Sequence, residues 1–450
     1  MTVESLRANL QGTVTAKGEP QYEALRRELV WNRLVPEAHP ELIVRVRSEA
    51  DVVEAIGEAR AQGLGVAVRG GGHNWCGTPL RDGTLLIDLS GLDGLTIDME
   101  GRSATVQPGV SGRAFSRALA AQGLAFPIGH CGSVPMSGYL LSGGLGWNMG
   151  VWGPACANLR AVELVMADGA RVTATETSHA DLVWAARGAG ACFFAVATRF
   201  HLDVHPLPAG IHTSTYVYPL ACTDAVAQWA AQLVPTLERC VELTIFLFAP
   251  PGATECFCVL TAAAFAESPA AAERALQPLA GCPVADRCLQ AAALLPTPFD
   301  TLVDNVDAMF PDRHRYLADA LWLNASAAEV LPLMRERIVQ APSAKSAILC
   351  GLVSPPAGLP DMAFSLSART FLACYAIWDD PHTDAANRAW HRDTVALVEG
   401  RAAGRYIGEC DIAGARTRAE RSFSEASWRR LGELRRRYDP EARFGTTLFS

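Results

Sequence analysis

Two glycine-rich loops, Arg69-Gly70-Gly71-Gly72-His73-Asn74 and Gly129-His130-Cys131-Gly132-Ser133-Val134, constrain this chain more than any other feature. They set one imidazole and one thiol 58 residues apart, each on backbone that carries almost no side chain. Either loop alone reads as a tight turn, because glycine supplies the positive φ and close backbone approach that other residues resist. The surroundings of the first say more. Val66-Ala67-Val68-Arg69 is an apolar run entering it, and Ser48-Glu49-Ala50-Asp51 caps a helix in which Val52, Val53, Ile56 and Ala59 recur at helical spacing. Strand 42–46, helix 49–62 and strand 65–69 therefore read as a βαβ unit with the loop at a strand's carboxyl end, where ligands bind in such units. Backbone N–H groups freed of side chains there can cradle a pyrophosphate. Neither loop, nor Gly188-Ala189-Gly190, has the G-x-G-x-x-G spacing of a nicotinamide-dinucleotide site.

A histidine and a cysteine in two such loops are what a flavin tethered at two points needs, and the flanking residues resemble one family. They are similar to the p-cresol methylhydroxylase-type FAD-binding domain of the vanillyl-alcohol-oxidase superfamily, and more narrowly to the berberine-bridge-enzyme-like oxidases, over most of the chain. His73 in Val68-Arg69-Gly70-Gly71-Gly72-His73-Asn74 falls where the family's histidine joins the flavin 8α-methyl. Cys131, heading CGSVPMSGYLLSGGLG, falls where its cysteine bonds flavin C6, and Gly138, Gly143, Gly144 and Gly146 fall on its glycines. Asn158, the stretch Arg187 to Gly190, and Tyr438-Asp439-Pro440 with Phe444 follow the same pattern. The resemblance thus implies FAD held by Arg69 to Asn74, by Cys131, Gly132, Ser133 and Val134, and by Gly138, Tyr139, Gly143, Gly144, Gly146, Asn158 and Gly190. Tyr139 matches a position near the flavin that stabilises its reduced form. Val134 matches one that carries valine in oxidases and isoleucine in dehydrogenases. Departures are Phe193-Phe194-Ala195 in place of Asn-Phe-Gly, a terminal Arg443-Phe444-Gly445-Thr446-Thr447 without the usual asparagine, and Pro135 and Ser137 in place of glycines, which predict a stiffer loop.

The expected fold class is α+β: an FAD-binding domain over 1–205 with its core at 38–205, a substrate domain with an antiparallel sheet over 206–401, and a return to the FAD domain over 402–450. His205-Pro206-Leu207-Pro208-Ala209-Gly210 marks the first change, followed by Ala-rich helices at 222–238, 267–280 and 325–340. Val241 to Phe248 and Glu255 to Leu260 read as a strand pair, and Phe364 to Trp378 contains another strand. At 450 residues, 50% hydrophobic and 19% charged, the chain buries a sizeable core. Its net charge of −8 repels polyanions, so Arg435-Arg436-Arg437 reads as cations at a helix carboxyl end rather than a nucleic-acid patch. Apolar stretches stop short of a membrane span, and the start lacks a signal-peptide pattern, so a cytoplasmic enzyme is expected. Thirteen scattered cysteines predict reduced thiols. Cys256-Phe257-Cys258 and His201-Leu202-Asp203-Val204-His205 each set two ligands on one strand face, but lack the further pair that a metal needs.

A hydroxyl substrate must lose a proton as its hydride passes to flavin N5, so a base is required. Arg405-Tyr406-Ile407-Gly408-Glu409-Cys410-Asp411 lies where the family often has Tyr-x-Asn-Tyr, with Tyr406 on the first tyrosine and Glu409 on the second. Strand alternation would put these two on opposite faces unless the strand ends there. Tyr406 is the leading candidate and Glu409 the second. The resulting expectation is an FAD-dependent oxidase with flavin joined to His73 and Cys131. It would oxidise a bulky alcohol or aromatic secondary metabolite and pass electrons to dioxygen, with release of hydrogen peroxide. Two other classes stay open: a nucleophilic enzyme using Cys131 with His130 or His73, and a flavin-binding protein without redox turnover.

Overall fold

The computed structural model describes residues 3–445 apart from 251, 254, 311, 353–355, 357 and 413–415; Thr446 and Thr447 therefore lie outside the described residues. Three large sheets, with a two-stranded one of Leu124–Ala125 and His205–Pro206, organise the described residues. The first has four strands in the order Thr13–Ala16, Leu42–Arg45, Thr84–Asp88, Gly65–Arg69. The helix Glu49–Ala61 lies between Leu42–Arg45 and Gly65–Arg69 in sequence, as expected, and Ser48 caps it by accepting from Asp51 N at 3.1 Å. Such a cap contributes about 1 kcal/mol. Val52, Ala55, Ile56 and Ala59 bury its inner face. The two strands are not neighbours, however: Thr84–Asp88 inserts between them, parallel to both. Its five residues are all buried, as a central parallel strand requires.

Five antiparallel strands form the second sheet, with Val196–Asp203 between Ser103–Val106 and Leu159–Val165. The third is an eight-stranded antiparallel sheet, which meets the expectation for the middle of the chain. Val241–Phe248 pairs with Phe257–Ala266, and Thr370–Trp378 lies between Ala347–Leu352 and Arg315–Leu323. Leu243, Ile245 and Leu247 share a core with Val226, Ala230, Leu331 and Val395 from the helices laid on the sheet. The alternate residues Glu242, Thr244, Phe246 and Phe248 face the other way, into a cavity.

The chain's end closes back on its beginning. Leu431 and Leu434 of the helix Glu425–Tyr438 join the core that holds Phe194 and Phe200, and Val66 N donates to Arg443 O at 2.7 Å. Arg435, Arg436 and Arg437 sit in that helix's last turn, as expected. None of the thirteen cysteines forms a disulfide among the described residues. Cys256 precedes its strand, and His201 and His205 belong to different strands, the first bonded to Glu163 and the second to Asn158. No cluster of three metal-ligating side chains occurs among the described residues, and none of their helices is long and apolar enough to cross a membrane.

Candidate active site

The two glycine loops touch. At Gly70 a Cβ would lie 1.7 Å from Ser137 Oγ, and at Gly71 one would lie 2.2 Å from Pro135 Cδ. Pro135 and Ser137, which depart from the family's glycines, are thus the surfaces against which the first loop is laid. Gly72 adopts φ +72° against the carbonyl of Leu29. Arg69 holds this path: its guanidinium donates to Asp88 Oδ1 at 2.9 Å, Gly71 O at 3.0 Å and Leu29 O at 3.2 Å. His73, which follows, stacks on Trp31 with ring centres 5.3 Å apart, and the backbone of Ser133 lies within its hydrogen-bonding reach. Burial, reinforced by Arg69, holds its imidazole down to about 4, so its nitrogen lone pair is free at neutral pH.

Cys131 opens the second loop, and its thiol is pushed up to about 12 by burial and by the carboxylates of Asp307, Glu409 and Asp312. A chain turn later, Pro135 starts the helix Met136–Leu141 that carries Tyr139. Tyr139 donates to Pro127 O at 2.5 Å, and its ring lies over Gly129, Gly144 and Gly146. At Gly146 a Cβ would come within 2.2 Å of the tyrosine oxygen, so the glycine run is what admits the ring.

The segment read as a strand through Asp411 stops early. Ala402–Arg405 is the last strand, and Ile407–Glu409 is a 3-10 turn, which abolishes the strict alternation expected there. Tyr406 and Glu409 therefore reach the same cavity. Tyr406 Oη accepts from Leu145 N at 3.4 Å, and Gly408 leaves room for its ring. Glu409 Oε2 accepts from Tyr375 Oη at 2.8 Å. Burial raises the Glu409 carboxyl, and no ion pair to it occurs among the described residues. Tyr375 packs against Trp75 and Phe310, and Trp75 in turn against Tyr316 and Trp31. Tyr375 lies in the strand expected within Phe364 to Trp378, in the sheet from which substrate contacts were expected, but its pairing with Glu409 and the aromatic wall escaped the sequence reading. The wall's residues are scattered from 31 to 375, and an aromatic on a strand looks the same in sequence whether it faces a core or a cavity.

All of this surrounds one cavity of about 1170 Å³. Of the residues expected in the site, Gly70, Gly71, Gly72, His73, Asn74, Cys131, Ser133, Val134, Gly138, Tyr139, Gly146, Gly190, Tyr406 and Glu409 line it. Five expected contacts stand behind its wall instead. Arg69 clamps the loop, Gly132 faces Val303, Gly143 faces Phe364, and Gly144 lies between Ala155 and Tyr139. Asn158 spends its amide on Trp152 O at 3.1 Å and on His205 at 2.8 Å. His130, against Trp147, also lines the cavity.

The volume exceeds the roughly 300–1,000 Å³ of a single small-ligand site, leaving room for a dinucleotide and a substrate together. The bare loop amides at Gly70 to Gly72 suit a pyrophosphate. Ser137 Oγ and Trp147 Nε1, both on residues that line the cavity, are buried polar atoms with no partner among the described residues. The residues present fit FAD. Fold and site thus define an enzyme of the FAD-binding class.

The comparisons agree. Residues 40–175 match the model of the FAD binding domain. The chain is 30% identical over 439 residues to the FAD-linked oxidoreductase janO of Penicillium janthinellum, covering 96% of this chain and 95% of that one. It is 30% identical over 424 residues to nodO of Hypoxylon pulicicidum, covering 94% and 93%. Among solved structures, 6-hydroxy-D-nicotine oxidase of Arthrobacter nicotinovorans superposes with a TM-score of 0.87 at 21% identity, over 99% of this chain and 98% of that one. Berberine bridge enzyme of Eschscholzia californica does so with 0.82 at 19%, over 99% and 98%. The chain belongs to the FAD-linked oxidoreductases and is an FAD-dependent oxidoreductase, with the fold of berberine bridge enzyme.

Proposed function

We propose that this enzyme is an oxidase of a bulky alcohol or aromatic secondary metabolite, with FAD attached through its 8α-carbon to His73 and through its C6 to Cys131. The observation that carries the reading is that His73, Cys131 and the Tyr375–Glu409 pair open into one cavity. Bound there, FAD supplies a two-electron acceptor for the substrate's hydride, which dioxygen regenerates with release of hydrogen peroxide. The protein supplies binding, orientation and proton transfer.

Glu409 accepts the substrate's hydroxyl proton. Tyr375 relays it: as its hydroxyl takes the proton from substrate, it passes its own along the 2.8 Å hydrogen bond to Glu409, so no phenolate forms. A buried carboxyl raised above its usual range is suited to this task, since its affinity for a proton is closer to operating pH. Tyr406, whose oxygen receives the Leu145 amide, fixes the loop that ends the glycine run. The aromatic faces of Trp31, Trp75 and Tyr316 suit a large planar or polycyclic substrate. A nucleophilic-cysteine enzyme is disfavoured, because such enzymes depress the thiol pKa and here burial and three carboxylates raise it.

The test is a panel of alcohols, phenolics and alkaloids scored for hydrogen peroxide release and, in the absence of oxygen, for bleaching of the flavin. Bleaching with peroxide release supports an oxidase. Bleaching with reoxidation only by another acceptor would make it a dehydrogenase, and a flavin that no compound bleaches would favour a role without redox turnover.

A further inference from the structure

The cysteine loop is held from outside its own half of the molecule. The helix Phe299–Met309 is inserted between strands of the large sheet, and it lies on the loop. Asp307 Oδ1 accepts from Gly132 N at 3.1 Å, while Asp307 Oδ2 accepts from the Arg113 guanidinium at 2.7 Å. Arg113 closes the arrangement through its backbone, which donates to Gly132 O at 2.9 Å. The peptide joining Cys131 to Gly132 is thereby pinned at both polar ends, its N–H by Asp307 and its carbonyl by Val134 N at 3.4 Å. Fixing that peptide plane fixes the backbone from which the Cys131 side chain departs. Gly132 has no freedom to escape, since a Cβ on it would lie 2.5 Å from Val303 of the same helix.

Resting on the bicovalent reading above, we propose that Asp307 is a positioning residue for the attachment of flavin to Cys131, so that the second bond forms only when the Phe299–Met309 helix is docked. Attachment replaces one ring hydrogen by sulfur: the thiol and C6 each lose a proton, and the two electrons released pass to dioxygen, which leaves as hydrogen peroxide. An acid beside a thiol that must ionise works against the reaction electrostatically. Its presence is accounted for by the hydrogen bond it accepts from Gly132. The bond is made once per molecule, so a small thiolate fraction suffices, whereas a misaimed sulfur costs rate in every attempt.

Two substitutions separate position from charge. Asp307→Asn keeps an oxygen to accept from Gly132 and removes the charge; Asp307→Ala removes both. The holoenzymes are unfolded and digested, and flavin on the Cys131 and His73 peptides is quantified by mass spectrometry. Wild type and Asp307→Asn are expected to carry flavin on Cys131. Asp307→Ala is expected to form that bond roughly 10²-fold more slowly, with the His73 bond retained. Full Cys131 attachment in the alanine variant overturns this proposal alone, and so does its loss in the asparagine variant. If the alanine variant loses both attachments by misfolding, the asparagine result decides. Absence of Cys131-bound flavin from wild type overturns both this proposal and the second covalent bond it rests on.

Discussion

A single hydrogen bond, from Tyr375 to Glu409, distinguishes the two residues that the sequence left as rival bases. Glu409→Gln removes the proposed proton acceptor with little change of shape, and it should slow anaerobic flavin reduction by roughly 10²–10⁴-fold, the usual contribution of acid–base catalysis. Tyr375→Phe should cost less if Glu409 can reach substrate through water. Because burial raises the Glu409 pKa, the wild-type rate of reduction should climb with pH through a midpoint above 4.5, as the carboxyl loses its proton, and the Gln variant should lose that limb. Stopped-flow reduction across pH reads both. A flat wild-type profile, or Glu409→Gln at the wild-type rate, would return the role to Tyr406. Val134 lines the same cavity three residues after Cys131, where one added methyl group has little slack to occupy. Val134→Ile should slow reoxidation by dioxygen selectively while anaerobic reduction is nearly unchanged; equal slowing of both half-reactions would reject a gating role.

At the scale of elements, the glycine loops were legible because their chemistry is local: the residues that shape the turn are the residues in it. The capped helix Glu49–Ala61 was legible for the same reason. What the sequence concealed is non-local. Thr84–Asp88 enters between two strands that follow each other around a helix, and nothing in its five apolar-rich residues announces the insertion. The base segment was left open in sequence, since alternation separated Tyr406 from Glu409 unless the strand ended there; it does end, and the 3-10 turn brings both to one cavity. The contact between the loops can be tested directly. Gly71→Ala drives a methyl group into Pro135 and should destabilise by about 1–3 kcal/mol, the usual range for overpacking. Gly57→Ala, in a helix with open space around it, should be neutral or stabilising by about 1 kcal/mol. Chemical denaturation compares the pair, and equal effects would mean that the loops do not bear on each other.

Across the whole molecule, the large sheet turns one face to its helices and the other to the cavity, and that second face carries Glu242. This carboxyl accepts from Met149 N at 2.9 Å, and burial raises it to about 7. A raised carboxyl pKa stabilises the fold while the group is protonated. Its contribution is complete below about 4.5 and is lost as pH rises through about 7, at about 1.4 kcal/mol per pH unit between the two values. Glu242→Gln should therefore match wild type in thermal stability near pH 4.5 and exceed it at pH 8. Parallel stability curves would contradict that assignment.

In the proposed enzyme one cavity holds one flavin between two loops. Digestion of the unfolded holoenzyme followed by mass spectrometry measures this most directly. The predicted result is a single species in which one flavin joins the peptide containing His73 to the peptide containing Cys131. Flavin released entirely free on unfolding, with both peptides at their unmodified masses, would contradict it.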